Sequence, residues 1–414
     1  VIDIEERLEE LRDLGLQRRM RLISGPQGPW VLLDGRPVLL LCSNNYLGLA
    51  DHPRVREASA EAAMRWGVGA GASRLVSGTM TIHRRLEERL AAFKGTESSV
   101  LFGSGYLANL GVVSALAGPG EVVFSDALNH ASIVDGCRLA RAEVFVYHHG
   151  DMEHLEWGLR EAEGRGALIV TDGVFSMDGD LAPLEQIVEL ARSYNVRVAV
   201  DEAHAVGVLG PGGRGAVALA GLEDEVDVVV GTLGKALGSY GAYVACEARM
   251  AQYLVNAARS LIFSTALPPP AVAGALAALE LLEEQPRRVE KLQANAETLR
   301  GELAREGFAV APGEMPIVPL LIGDPALAMR VCEAAIERGV FAQAIRPPTV
   351  PAGTSRLRVA VMSSHRRSEL RQAAGTLADA ARACGLEPTR GVTPREASGR
   401  PFDVEAPAPL ARAA

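Results

Sequence analysis

This 414-residue sequence is short of aromatic residues, which make up 5% of it, and it carries no basic excess. Its 42 lysines and arginines face 51 aspartates and glutamates, a net charge of −9, so the footprint of a dedicated nucleic-acid binder is missing. Long apolar runs are missing too. The longest nearly uninterrupted stretch, Ala271 to Leu282, has about 12 residues, where a membrane span needs roughly 20. The first residues, Val1-Ile-Asp-Ile-Glu-Glu-Arg, are charged and lack a signal-peptide core. The five cysteines (Cys42, Cys137, Cys246, Cys332, Cys384) are scattered and form no C-x-x-C pair. Neither a disulfide framework nor a zinc site is expected, and no internal repeat is visible. These absences together predict a cytoplasmic protein with no membrane, nucleic-acid or metal partner.

What is present is glycine, at 43 residues, in an otherwise ordinary globular composition of 48% apolar and 22% charged residues. Many tight turns and few aromatics suit an α/β enzyme better than a β-sandwich. Ile4, Leu8 and Leu11 fall at helical spacing within residues 2–14. Val31–Leu33 and Val38–Leu41 read as a hairpin turned by Asp34-Gly35. From about 54 to 245, helical patterns alternate with β-branched runs such as Ala167-Leu-Ile-Val-Thr, Val196-Arg-Val-Ala-Val and Val226-Asp-Val-Val-Val. Such runs predict strands buried on both faces of a mostly parallel sheet. After Pro268-Pro-Pro come helical patterns at about 271–282 and 287–306, then strand, helix, strand and helix to Cys384, a smaller C-terminal α+β domain. The expected division is an N-terminal helix and hairpin at 1–50, a large domain at 51–270, a small domain at 271–387 and a disordered proline-rich tail at 388–414.

Chemistry enters with Gly231-Thr-Leu-Gly-Lys235-Ala-Leu-Gly, a lysine just past a buried strand in a Gly-rich turn. Lysine held away from water can form a Schiff base. Another strand ends in Asp201-Glu-Ala-His204, 34 residues earlier, about one strand–helix–strand unit. Both groups are then expected at the carboxyl edge of one sheet, where α/β ligands bind. This set is what pyridoxal phosphate (PLP) needs: Lys235 for the Schiff base, Asp201 for the pyridinium nitrogen, His204 for the ring's phenolic oxygen. Alone, Asp201 reads equally well as a helix cap.

Val100-Leu-Phe-Gly103-Ser-Gly105-Tyr106-Leu-Ala108 runs from strand to helix, so the free N–H groups at its turn can cradle a phosphate. It also matches G-x-G-x-x-A with Asp126 about 20 residues on, a dinucleotide fingerprint that leaves Lys235 and Asp201 without roles. Asn129-His130-Ala-Ser132 can present His130 over a bound ring, and Ser176 follows the Ala167 strand to the same edge. His148, His149 and His154 lack H-x-x-x-H spacing and flank Gly150-Asp151, so they are read as surface residues.

Six segments in one order, Ser43-Asn44-Asn45-Tyr46-Leu47-Gly48, Asn129–Ser132, Asp172–Gly179, Asp201–His204, Gly231–Lys235 and Phe263–Pro269, closely resemble the α-oxoamine synthases. These are PLP enzymes of fold type I, the aspartate aminotransferase-like group, and the resemblance covers roughly residues 5–385. It implies a homodimer with shared active sites. It also implies decarboxylative condensation of a small amino acid with an acyl thioester of coenzyme A or a carrier protein. Carried over, Lys235 is the Schiff-base lysine, His130 the stacking residue, Asp201 the pyridinium partner, and His204 and Ser176 neighbours of the phenolic oxygen. The phosphate falls to Gly105, Tyr106 and Thr232, with Ser264 and Thr265 reaching in from the other subunit. Asn44, Thr349, Arg358 and Arg18 fall on the substrate side, with Arg358 on the amino-acid carboxylate and Arg19 and Arg21, in Gln17-Arg-Arg-Met-Arg21, as alternatives to Arg18.

Two branches of the family compete. Ser73-Arg-Leu-Val-Ser-Gly and the Arg346–Arg358 segment look like the branch that joins L-alanine to a pimeloyl thioester in biotin synthesis. Ser125–Gly136 and Gly231–Gly238 look equally like the branch that joins glycine to acetyl-CoA, and one enzyme can serve both. The C-terminal segment weighs more, because it is expected near the substrate.

Overall fold

The computed structural model describes residues 2–388, so the proline-rich tail expected from 388 onward lies, beyond Pro388, outside the described residues. Two compact units are present.

The larger holds residues 49–176 and 180–289 and is built on a seven-stranded sheet. Its strands are β1 (Ser98–Phe102), β2 (Val122–Asp126), β3 (Glu143–Tyr147), β4 (Gly166–Asp172), β5 (Arg197–Asp201), β6 (Val228–Thr232) and β7 (Ala242–Cys246). Their order is β1-β7-β6-β5-β4-β2-β3. Only β7 runs antiparallel, against β1 and β6, so the expected mostly parallel sheet is present. Consecutive residues Val198–Asp201 and Val228–Gly231 are all buried, as a sheet covered on both faces requires. Helix Gly105–Leu116 packs on Ala131–Ala140 and Ala248–Ala257, and Val112, Val113 and Leu116 join Val230, Val244 and Leu254 in one core. Each such aliphatic side chain contributes about 1.5–3 kcal/mol when removed from water.

Helix Pro269–Glu284 is apolar almost all round, with eleven of its sixteen residues buried. A helix of that kind needs cover on every side. Pro53–Trp66 and Thr81–Lys94 supply it, so the unit boundary falls at Val289 rather than at residue 270.

The smaller unit holds residues 2–48, 177–179 and 290–388. The hairpin Trp30–Leu33 and Arg36–Leu40 turns on Asp34 (φ 49°) and Gly35 (φ 81°), the left-handed pair that an Asp-Gly turn supplies. Its second strand pairs in parallel with Val340–Phe341, which ties the N-terminal segment to the C-terminal one. A three-stranded antiparallel sheet has Ser355–Ala360 between Ile317–Gly323 and Gln343–Ile345. Helices Pro325–Glu337 and Arg367–Ala383 pack together in this unit.

Candidate active site

In a parallel sheet the strand ends share one edge, and here that edge is acidic. Asp126, Asp172 and Asp201 close β2, β4 and β5, each no more than 5% exposed, and Asp172 is the register partner of Asp201. Burial and the nearby Asp201 charge push the Asp172 carboxyl well above the usual carboxylate range. Asp172 accepts the His130 backbone N–H at 2.6 Å.

Asp201 is held by two donors. Its Oδ2 accepts from Asn109 Nδ2 at 2.6 Å and its Oδ1 from the Ala203 amide at 2.8 Å. The second bond closes a local turn two residues on; no helix starts there, so the helix cap that the sequence allowed does not form. The first is long-range, and no local pattern marks it. Asn109 sits in helix Gly105–Leu116, 2% exposed, and also donates to Ser132 Oγ at 2.9 Å. Ser132 Oγ in turn lies 2.7 Å from His130 Nδ1. The chain Asp201–Asn109–Ser132–His130 thus links two expected site residues through two that were given no role.

Lys235 follows β6 by three residues, and its Nζ lies 2.8 Å from His204 Nε2. The turn that presents it is tight. Gly238 has φ +59°, and a Cβ there would stand 2.4 Å from the Ala50 nitrogen, so only glycine fits. His130 is exposed. Even so, the protein atoms packed about the rest of its ring lower its pKa, Lys235 adds to that, and Asp201 opposes it.

Gly105 and Tyr106 open their helix, with Ser104 capping the Leu107 amide at 3.2 Å. Their own N–H groups have no acceptor among the described residues, and a Cβ on Gly105 would meet nothing within 4 Å. Open space over orphan amides suits an anion. Thr232 Oγ1 donates to the Gly241 carbonyl at 3.1 Å and accepts from the Gly234 amide at 3.3 Å. Ser176, half-buried, lies beyond β4. Ser264 and Thr265 line a small cleft with Arg74, Phe102 and Gly103, at the end of β1 in their own chain.

The histidines read as surface residues divide. His148 is exposed and stacks on His154. His149 does not fit the surface reading: its two ring nitrogens lie 3.0 Å from Asp126 Oδ1 and 2.7 Å from Asp180 Oδ2.

In the smaller unit Arg358 is 6% exposed on the central strand Ser355–Ala360. It donates to Asn44 Oδ1 at 3.1 Å and to the Tyr46 hydroxyl at 3.3 Å. Burial raises the Tyr46 pKa and Arg358 opposes it, so the hydroxyl stays neutral. Arg19 and Arg21 both pair with Glu333, at 3.3 and 2.5 Å. Arg18 instead is exposed and donates to the Pro347 carbonyl at 3.3 Å, two residues from Thr349. Among the described residues no group of three or more His, Cys, Asp or Glu could hold a metal ion, and no helix is long and apolar enough to cross a membrane.

The family model for aminotransferase class I and II matches residues 36–377. The chain is 53% identical over 384 residues to 8-amino-7-oxononanoate synthase of Citrifermentans bemidjiense, covering 92% of this chain and 98% of the relative. It is 54% identical over 358 residues to the enzyme of that name from Anaeromyxobacter dehalogenans, covering 86% and 90%. A solved structure of SPT with PLP superposes with a TM-score of 0.88 at 34% identity, covering 92% of this chain and 98% of that one. 8-Amino-7-oxononanoate synthase from Francisella tularensis superposes with a TM-score of 0.73 at 27% identity, covering 84% and 99%.

Proposed function

The chain belongs to the aminotransferase class I and II family and, within it, to the α-oxoamine synthases, and from that premise we propose that it condenses L-alanine with a pimeloyl thioester. The products are 8-amino-7-oxononanoate, carbon dioxide and the free thiol. The substrate pair rests on the 53% identity to 8-amino-7-oxononanoate synthase, and one observation carries the coenzyme chemistry. The Lys235 amine stands 2.8 Å from His204 at a sheet edge where Asp201 is buried and doubly hydrogen-bonded.

The coenzyme is pyridoxal 5'-phosphate, and the residues fit it: an amine, a buried carboxylate, an exposed imidazole and two orphan amides over open space. When bound, PLP supplies an electron-accepting ring that stabilises negative charge at the amino-acid Cα. Lys235 would hold the coenzyme through its amine, and the same amine, when free, would take the Cα proton of alanine. Asp201 keeps the ring nitrogen protonated, and Asn109 keeps Asp201 aimed. His130 stacks on the ring and donates to the thioester carbonyl oxygen as charge develops there. His204 and Ser176 serve the phenolic oxygen.

The Gly105 and Tyr106 amides and the Thr232 hydroxyl hold the phosphate, and Ser264 and Thr265 serve that of a second copy in a cytoplasmic homodimer. Arg358, already oriented by Asn44 and Tyr46, takes the alanine carboxylate, with Arg18 and Thr349 nearer the acyl donor.

The test is a two-by-two assay of alanine and glycine against pimeloyl-CoA and acetyl-CoA, compared by kcat/KM. Alanine with pimeloyl-CoA should lead. A clear lead for glycine with acetyl-CoA would overturn the substrate assignment and leave the coenzyme chemistry standing. Sedimentation of the holoenzyme should show a dimer.

A further inference from the structure

We propose that His149 is a positioning residue: clamped between Asp126 and Asp180, its imidazolium ties the segment that presents His130 to the segment that presents Ser176. The proposal rests on the coenzyme reading above and adds to it the group that sets the spacing of two of its contacts.

Both ring nitrogens face a carboxylate oxygen, Nδ1 at 3.0 Å from Asp126 and Nε2 at 2.7 Å from Asp180. An imidazole can donate from both nitrogens only when it is protonated. Between two ionised carboxylates the ring is therefore a cation, and the cation neutralises Asp126, which is 3% exposed and costly to leave alone.

The two acids are placed to transmit the clamp. Asp126 lies four residues before His130. Its side chain accepts the Leu128 amide at 2.8 Å and the Gly150 amide at 3.0 Å, and its carbonyl accepts the Asn129 amide at 3.1 Å. The turn leading into His130 is thus organised on Asp126. Asp180 lies four residues after Ser176, and its carbonyl accepts the Phe175 amide at 3.0 Å, which closes the turn around Ser176. The Phe175 ring meets His149 edge-on, with centroids 4.4 Å apart at 85°.

Among the described residues, Asp126 and Asp180 are the charges that act on the ring. Tyr147, at the end of β3, is pushed up by burial and by Asp126 and stays neutral. Asp172 is pushed up in the same way, by burial and Asp201. On the loop of His149 itself, Asp151 accepts the His154 amide at 2.9 Å and His148 stacks on His154. Burial pulls the His149 pKa down, and Asp126 and Asp180 more than reverse this, leaving it at about 10.

The test uses the holoenzyme dimer. Nitrogen-15 signals of the His149 ring should show both nitrogens protonated through pH 8.5. His149→Asn and Asp180→Asn, the latter at a side chain 41% exposed, should each raise the PLP dissociation constant about tenfold or more. They should also shift the coenzyme absorption band at pH 7.5. Loss of a ring proton from the parent near pH 6.5 overturns the proposal. So does a pair of variants that melt earlier yet bind PLP within twofold of the parent with an unshifted band, because that is a purely structural role. None of these readouts depends on which amino acid or thioester the enzyme condenses, so a failed condensation assay leaves this test intact.

Discussion

Lys235 Nζ approaches His204 Nε2 to 2.8 Å, joining the turn after β6 to the turn after β5. An amine beside an imidazole is oriented before any coenzyme arrives. Lys235→Ala should remove the borohydride-reducible Schiff base and lower turnover by about 10²–10⁴-fold, the usual loss on deleting a general base. The visible spectrum with and without borohydride checks it. A reducible adduct at near-parental turnover would move the assignment to another lysine.

Asp201 sits 2.6 Å from Asn109, so its role divides into charge and aim. Asp201→Asn keeps the shape and removes the charge. It should still bind PLP yet slow Cα–H exchange of alanine by about 10²-fold or more. Asn109→Ala removes only the aim and should slow exchange less. Exchange by Asp201→Asn at the parental rate, followed by proton NMR in deuterium oxide, would reduce Asp201 to a cap for the following turn.

Arg358 reaches Asn44 and Tyr46 from the central strand of the small sheet. A guanidinium oriented in this way suits a carboxylate, and an ammonium cannot reproduce its fork. Arg358→Lys should raise KM for alanine roughly 10–100-fold, corresponding to about 1.5–3 kcal/mol for a lost charged hydrogen bond. Steady-state kinetics at saturating thioester measures this, and an unchanged KM places the carboxylate elsewhere.

Stability should depend on pH through His149. Folded, it holds its proton up to about pH 10, whereas an unfolded histidine releases it near 6.5. Its contribution is therefore complete below about pH 6.5 and is lost as pH rises through about 10. Melting temperatures of the parent should fall between pH 7 and pH 10 more steeply than those of Asp180→Asn, by about 2–4 °C for each kcal/mol lost. Parallel melting curves across that range would exclude the linkage.

Much of this was legible from local pattern. The β-branched runs around Val198 and Val229 announced strands covered on both faces. Asp34-Gly35 announced the hairpin turn, and one strand–helix–strand spacing placed Asp201 and Lys235 at one edge. Each is a property of a few consecutive residues or of one supersecondary unit. The sequence by itself therefore determined the sheet, its carboxyl-edge lysine and acid, and the resemblance that names the family.

Only the tertiary structure decided which groups meet across distance. Asn109 finds Asp201 because the helix after β1 packs across β4, β6 and β7, which brings its side chain within reach of the end of β5. Asp172 faces Asp201 through the register of two parallel strands. Arg358 meets Asn44 from 314 positions away. His149, a plain loop residue by spacing, becomes a clamped cation because β3 lies beside β2 and the loop past β4 folds back toward it. Helix Pro269–Glu284 falls in the larger unit because its apolar circumference needs neighbours there. Periodicity records which face of an element is buried. It does not record what lies opposite, because register and crossover are chosen by packing between segments far apart in the chain.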